Sequence, residues 1–205
     1  MDPVNVAIDK EGVAVLTFTH GDDNPLAPEL IAGISNALDD LRDDEATRAI
    51  VLTGGGKKAF CTGLDLPWLA AHATVPADVV GYLASVNEMY AKLTLFPKPT
   101  VGALNGHTFA AGLFLAAHLD FRIMRQDRGW VCLPEIDINI PLLPGMIAIC
   151  QAVMPPQGFR QLYYTGRRFG APEAQALGFV DDLASKEELL PKAIAVAASL
   201  GKKKT

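Results

Sequence analysis

Apolar and polar positions along the chain alternate between two periods, and the switches between them mark the elements. Val4–Ile8 and Val13–Phe18 run apolar or alternate on either side of Lys10–Gly12, which predicts a β-hairpin. Pro28–Leu41 carries Leu30, Ile31, Ile34, Leu38 and Leu41 at helical spacing. Arg48–Leu52 is a short β-rich run that ends at Gly54-Gly55-Gly56. A second helix is predicted over Ala77–Phe96, with Val80, Leu83, Val86, Met89, Tyr90 and Leu93 on its apolar stripe and Pro97 and Pro99 stopping it. Thr100–Leu104 reads as a strand, Ala111–His118 as a buried helix and Phe121–Arg125 as a strand. Helices follow at Pro144–Val153, Gln157–Thr165, Pro172–Leu177 and Lys186–Leu200. Strands and helices interleave throughout, so the expected class is α/β.

Composition narrows the function classes. Half of the 205 residues are apolar and a fifth are charged, which supports a sizeable core. A net charge of -5 argues against nucleic acid as the main partner. No apolar run reaches the length of a bilayer span, and the N-terminus has no signal-peptide pattern, so a cytoplasmic protein without a membrane partner is expected. Cys61, Cys132 and Cys150 lack paired spacing and read as reduced thiols.

Several segments carry candidate chemistry. Gly54-Gly55-Gly56-Lys57-Lys58 fails as a phosphate-binding P-loop, because the residue after Lys57 is neither Ser nor Thr. Lys57 and Lys58 are left as candidates for an anionic ligand. In Lys58–Leu66, Gly63 permits a turn of unusual φ that exposes the N–H of Leu64. In Asn105–Gly112, a helix starting near Ala111 would leave unsatisfied N–H groups at its positive end. Two such amides converging on one point would stabilise a developing oxyanion. His107 and His118 are placed to share a helix face, but no third ligand accompanies them and no metal site is expected. Leu133–Ile138 sets Glu135 and Asp137 in an apolar run, on one face if the segment is extended. A carboxylate in such a setting suits proton transfer.

Together these segments resemble the crotonase family, the enoyl-CoA hydratase/isomerase superfamily. KAFCTGLDL is similar to the family's KAF-x-AG-x-DL, and KPTVGALNGHTFAAGLFLAAHLDFRIM to the long motif that contains its GGG triplet. YYTGRRFGAPEAQALGFVDDL is similar to LLTG-RRI-x-A-x-EA-x-x-x-GLV. The resemblance implies a spiral of ββα repeats over residues 1–185, followed by a shortened C-terminal helical region, a helix and tail at 186–205. It implies trimers or dimers of trimers. It gives Leu64 and Ala111 as the oxyanion amides for an acyl-CoA thioester, and Glu135 as the catalytic carboxylate. Lys57, Lys58, Ala59, Cys61, Gly63, His107, Gly112 and Phe114 become substrate-binding candidates. Coenzyme A enters as part of the substrate, and no separate cofactor is implied.

One departure directs the expected reaction. Hydratases of the family carry a glutamate two residues after the triplet, where this chain has Phe114. Phe114 has neither an acceptor nor a proton for water activation. A single glutamate suffices for a Δ3-Δ2-enoyl-CoA isomerase, the branch that the chain resembles. Another crotonase reaction (hydratase, hydrolase or decarboxylase) and a non-catalytic acyl-CoA-binding protein are the competing readings. The hydratase would need Asp137 or His107 to supply the missing group.

Overall fold

The computed structural model describes residues 2–203. The hairpin forms as expected from β1 (Val4–Ile8) and β2 (Val13–Phe18), followed by α1 (Pro28–Arg42). The next repeat holds β3 (Ala49–Gly54), β4 (Ala59–Cys61), α2 (Leu66–His72) and α3 (Pro76–Thr94). A third holds β5 (Thr100–Leu104), β6 (His107–Phe109) and α4 (Ala111–Ala117). A fourth pairs β7 (Phe121–Arg125) with β8 (Val131–Cys132) and a 3-10 turn at Pro134–Ile136. The chain closes with α5 (Pro144–Val153), α6 (Pro156–Thr165), α7 (Ala171–Ala176), β9 (Asp182–Ala184) and α8 (Leu189–Gly201).

The strands sort into two sheets by a simple alternation. The longer strands form a six-stranded sheet in the order β1-β2-β3-β5-β7-β9, parallel except for the β1–β2 hairpin. The short strands β4, β6 and β8 form a second, wholly parallel sheet. The first turn gives both of its strands to the large sheet, and each of the next three gives one strand to each sheet, in the manner of the ββα spiral that the sequence motifs imply.

Period-2 alternation in the large sheet feeds two cores. Ala14, Leu16, Phe18, Ile50, Leu52 and Leu104 face the core that α1, α3 and α4 share. Val13, Ala49, Val51, Val101 and Ala103 face α8, through Leu189, Ala193 and Ala197. The β2–β3 and β3–β5 strands are buried on both faces, so they read as continuous apolar runs.

Several expectations need correction. The stripe of α3 that meets the core is Tyr82, Val86, Met89, Tyr90 and Leu93, and Val80 and Leu83 are 67% and 39% exposed. At 100° per residue Val80 lies nearly opposite Tyr82, outside a stripe of that width. The last helix begins at Leu189, because Ser185 and Glu188 tie residues 185–188 into a turn: the Ser185 hydroxyl donates to the Glu188 carboxylate and accepts from the Glu188 N–H. His107 lies in β6 whereas His118 caps α4, so the two share no helix face. Glu135 and Asp137 sit in a 3-10 turn and its cap, not a strand, and only Glu135 is buried.

The second sheet is held by close backbone approach. A Cβ on Gly106 would strike the Lys58 carbonyl, and one on Gly112 the Cys61 carbonyl. Gly106→Ala is therefore expected to cost roughly 2 kcal/mol or more of stability, measured by urea unfolding, because backbone cannot yield as a flexible side chain does.

Candidate active site

Three chain turns follow the three strands of the small sheet, and the first two touch each other. The first follows β4. Gly63 adopts φ 103, a conformation that side chains disfavour. Its carbonyl accepts from the Leu26 N–H at 2.8 Å. The Asp65 carboxylate then accepts from the Trp68 N–H at 2.9 Å and starts α2. Leu64, between these anchors, has no protein acceptor for its N–H among the described residues.

The second turn follows β6. The Ala110 N–H donates to the Cys132 carbonyl of β8 at 3.0 Å, and Ala110 takes φ 50, ψ -126. The Ala110 carbonyl accepts from Leu113 and Phe114. Ala111 is thus the first residue of α4, where an N–H has no partner inside the helix. The two turns touch: a Cβ on Gly63 would lie 3.2 Å from the Ala111 nitrogen and 3.0 Å from the Ala110 Cβ.

The third turn follows β8 and carries Glu135, only 6% exposed. Its Oε2 is buried and has no hydrogen-bond partner. No lysine or arginine forms an ion pair with it among the described residues. Desolvation raises its pKa above the ordinary carboxylate value. Its charge is one of the lesser influences that raise Tyr90, Cys132 and Cys150, after their own burial. Burial pushes Cys132 up to about 11 and Cys150 up to about 12, so these thiols are uncharged near neutrality.

Two residues of this site were not among the sequence candidates. The Tyr90 hydroxyl donates to the Ala111 carbonyl at 2.6 Å. The Tyr82 hydroxyl donates to the Leu26 carbonyl at 2.6 Å and accepts from the Asp65 N–H at 3.0 Å. The available signal was two tyrosines on the apolar stripe of a helix, since a buried phenol needs a polar partner.

The remaining candidates divide. Phe114 is buried in the main core at 1% exposure, three residues after Ala111. Gly112 packs against the Cys61 backbone. The Cys61 thiol is fully buried and pushed up to about 12 by desolvation, so β4 offers backbone there and no thiolate. The Ala59 carbonyl accepts from Asn24 at 3.2 Å. Lys58 pairs with Asp23 at 2.9 Å on the surface. Lys57 lines a cavity of about 300 Å³ with Arg125, Arg128 and Lys186. His107 is half-buried, stacked on Trp130 with ring centroids 4.8 Å apart and tilted against Phe109 at 4.9 Å. Burial, then Arg168, lowers its pKa. Lys58 and Arg128 act in the same direction and Asp23 opposes them. That cavity and the one of about 390 Å³ beside His107 are lined by neither Glu135, Leu64 nor Ala111.

Comparison with known proteins gives the family to which these elements belong. The family model described as enoyl-CoA hydratase/isomerase matches residues 9–205. This chain belongs to the enoyl-CoA hydratase/isomerase family. It is 31% identical over 204 residues to enoyl-CoA delta isomerase 3 of Arabidopsis thaliana, covering 96% of this chain and 85% of that protein. It is 34% identical over 160 residues to carnitinyl-CoA dehydratase of Escherichia coli, covering 78% of this chain and 59% of that protein. Among solved structures, a protein of Mycobacterium tuberculosis described in one structure as an enoyl-CoA isomerase and in another as a probable enoyl-CoA hydratase superposes with a TM-score of 0.89, the former at 26% identity over 99% of this chain and 86% of that one. The enoyl-CoA hydratase from Bacillus anthracis superposes at 0.87 with 25% identity, over 98% and 77%. The crotonase fold expected from the motifs is the fold observed, and the relatives' names span isomerase, hydratase and dehydratase.

The buried carboxylate has a stability signature. A carboxylate with a raised folded pKa binds its proton more tightly when folded, so stability falls as pH rises from the unfolded pKa through the folded one. Glu135→Gln removes the ionisable group. The variant is expected to be more stable than the wild type at pH 8, by roughly 1–3 kcal/mol. The gap should close as pH falls below the ordinary carboxylate range, in urea titrations at each pH.

Proposed function

We propose that this chain is a Δ3-Δ2-enoyl-CoA isomerase in which Glu135 is the only proton carrier. The observation that carries the reading is the Glu135 carboxylate, buried with an unpartnered oxygen, combined with Phe114 at the second glutamate position of the hydratases. The isomerase names among the relatives support it. The dehydratase name and the structural likeness to a hydratase support the alternative of water chemistry. That alternative lacks a second group beside Glu135: Asp137 is exposed, and His107 is stacked against Trp130.

In the proposed reaction the 3-enoyl thioester places its carbonyl oxygen against the Leu64 and Ala111 N–H groups. Glu135 removes a proton from C2, and the electron pair passes through C1 to the oxygen. The two amides stabilise the dienolate oxygen, the kind of stabilisation worth several kcal/mol, about 2.7–4 for one donor. The charge then returns through C2=C3 as the protonated Glu135 delivers the proton to C4. Atoms and charge balance, water is neither gained nor lost, and no cofactor is needed beyond the coenzyme A of the substrate.

The uncharged tyrosine and thiols around Glu135 give its proton no ready protein acceptor, so the proton should return to substrate. With 3-hexenoyl-CoA the expected product is 2-hexenoyl-CoA of unchanged mass, followed by ultraviolet absorbance and mass spectrometry. Deuterium placed at C2 should appear in part at C4. Glu135→Gln should lower kcat by about 10²–10⁴-fold. A mass gain of one water on 2-hexenoyl-CoA, or deuterium lost wholly to solvent, would count against the single-carrier mechanism. The kcat/KM profile should rise with pH through a Glu135 ionisation above the ordinary carboxylate range.

A further inference from the structure

The two donor amides belong to different repeats of the spiral, yet one helix touches both turns. Tyr82 and Tyr90 lie eight residues apart on α3, about 12 Å along one rod. Both point from the same buried stripe. Their hydroxyl contacts follow one pattern. Tyr82 accepts from the N–H of Asp65, in the peptide unit directly after the one that carries the Leu64 N–H. Tyr90 donates to the carbonyl of Ala111, in the peptide unit directly after the one that carries the Ala111 N–H. Each phenol thus grips the backbone one unit beyond a donor and leaves the donor itself free.

The rings are wedged as well. Trp68 packs on Tyr82 with centroids 4.7 Å apart, and His118 stacks on Tyr90 at 4.7 Å. His118 caps α4 and shares a 2.6 Å hydrogen bond with Thr94 of α3. Tyr90 therefore contacts α4 at its first carbonyl and at its cap. Burial pushes Tyr82 up to about 12 and Tyr90 well above its usual range, so both remain protonated over any working pH. Tyr82 also donates to the Leu26 carbonyl, and Leu26 in turn donates to the Gly63 carbonyl, which closes a ring of bonds around the Leu64 turn.

We propose that Tyr82 and Tyr90 are positioning residues that set the spacing of the Leu64 and Ala111 amides, with α3 as the common ruler. The proposal rests on the oxyanion reading given above. Neither phenol is assigned a role in proton transfer.

The test uses Tyr82→Phe, Tyr90→Phe and the double variant, which keep the rings and remove only the hydroxyls. Val86→Ala, on the same buried stripe without a hydroxyl, serves as the control for general loosening. The first readout needs no turnover: calorimetric affinity for hexanoyl-CoA against S-hexyl-CoA, in which a methylene replaces the carbonyl. The wild type should prefer the thioester. Each Tyr→Phe change should shrink that preference by about fivefold, while affinity for the thioether moves by less than about twofold. The second readout is turnover of 3-hexenoyl-CoA, where kcat should fall on the order of tenfold per hydroxyl with KM changed by less than about twofold. Val86→Ala should lower the melting temperature and leave the preference intact. Tyr→Phe variants that melt earlier but keep both the preference and kcat would overturn the proposal. A wild type with no preference for the thioester would overturn it together with the oxyanion reading. A wild type with the preference but no isomerase activity, whose Tyr→Phe variants lose the preference, would uphold the positioning role and remove only the assigned reaction.

Discussion

The nearness of two backbones, β4 and the β6–α4 junction, is the constraint on which the rest of the site depends. The Gly63 turn touches Ala110 and Ala111, Gly112 lies against the Cys61 carbonyl, and Gly106 lies against Lys58. A side chain at Gly106 or Gly112 would strike backbone and force the two segments apart. A sheet of two- and three-residue strands has little stability of its own. It persists because each strand is covalently continuous with a neighbour in the six-stranded sheet, so the larger core holds the smaller sheet in register.

Glu135 adds a second tension. A carboxylate without a partner is costly to bury, and the cost falls on the ionised form. Surroundings of phenol and thiol, all held neutral by the same burial, do nothing to relieve it. The result is a base stronger than an exposed glutamate, obtained at the expense of the folded state. Sites of this kind are where fold and chemistry are expected to disagree.

Much of this was legible in the chain. The hairpin, α1, β5 and β7 followed from periodicity because each is long enough to show it and faces one core cleanly. Glu135 stood out as an acid in an apolar run. The strands β4, β6 and β8 did not stand out, because two or three residues carry no period, and their conformation comes from tertiary pairing. The short helix α2 was hidden for a related reason: none of its residues is fully buried, so it shows no apolar face. Val80 and Leu83 misled because apolar residues on the outer side of α3 are indistinguishable in type from those within. Tyr90 showed only as a member of the apolar stripe and Tyr82 did not stand out at all, because the partners of their hydroxyls are two loops distant in sequence.

The three thiols give this arrangement one more property. Cys132 ends the strand that leads to the Glu135 turn, Cys150 lies in α5, Cys61 underlies Gly112, and all three are buried and protonated. A thiol in that state is nearly inert to alkylating agents until the surrounding structure parts. The Glu135 Oε2 is sealed in the same way, so any acyl group that reaches it must displace covering side chains. Covalent labelling of these cysteines therefore keeps time for the breathing of the protein, with Cys61 reporting on the strand beneath Gly112 and Cys132 on the strand before Glu135.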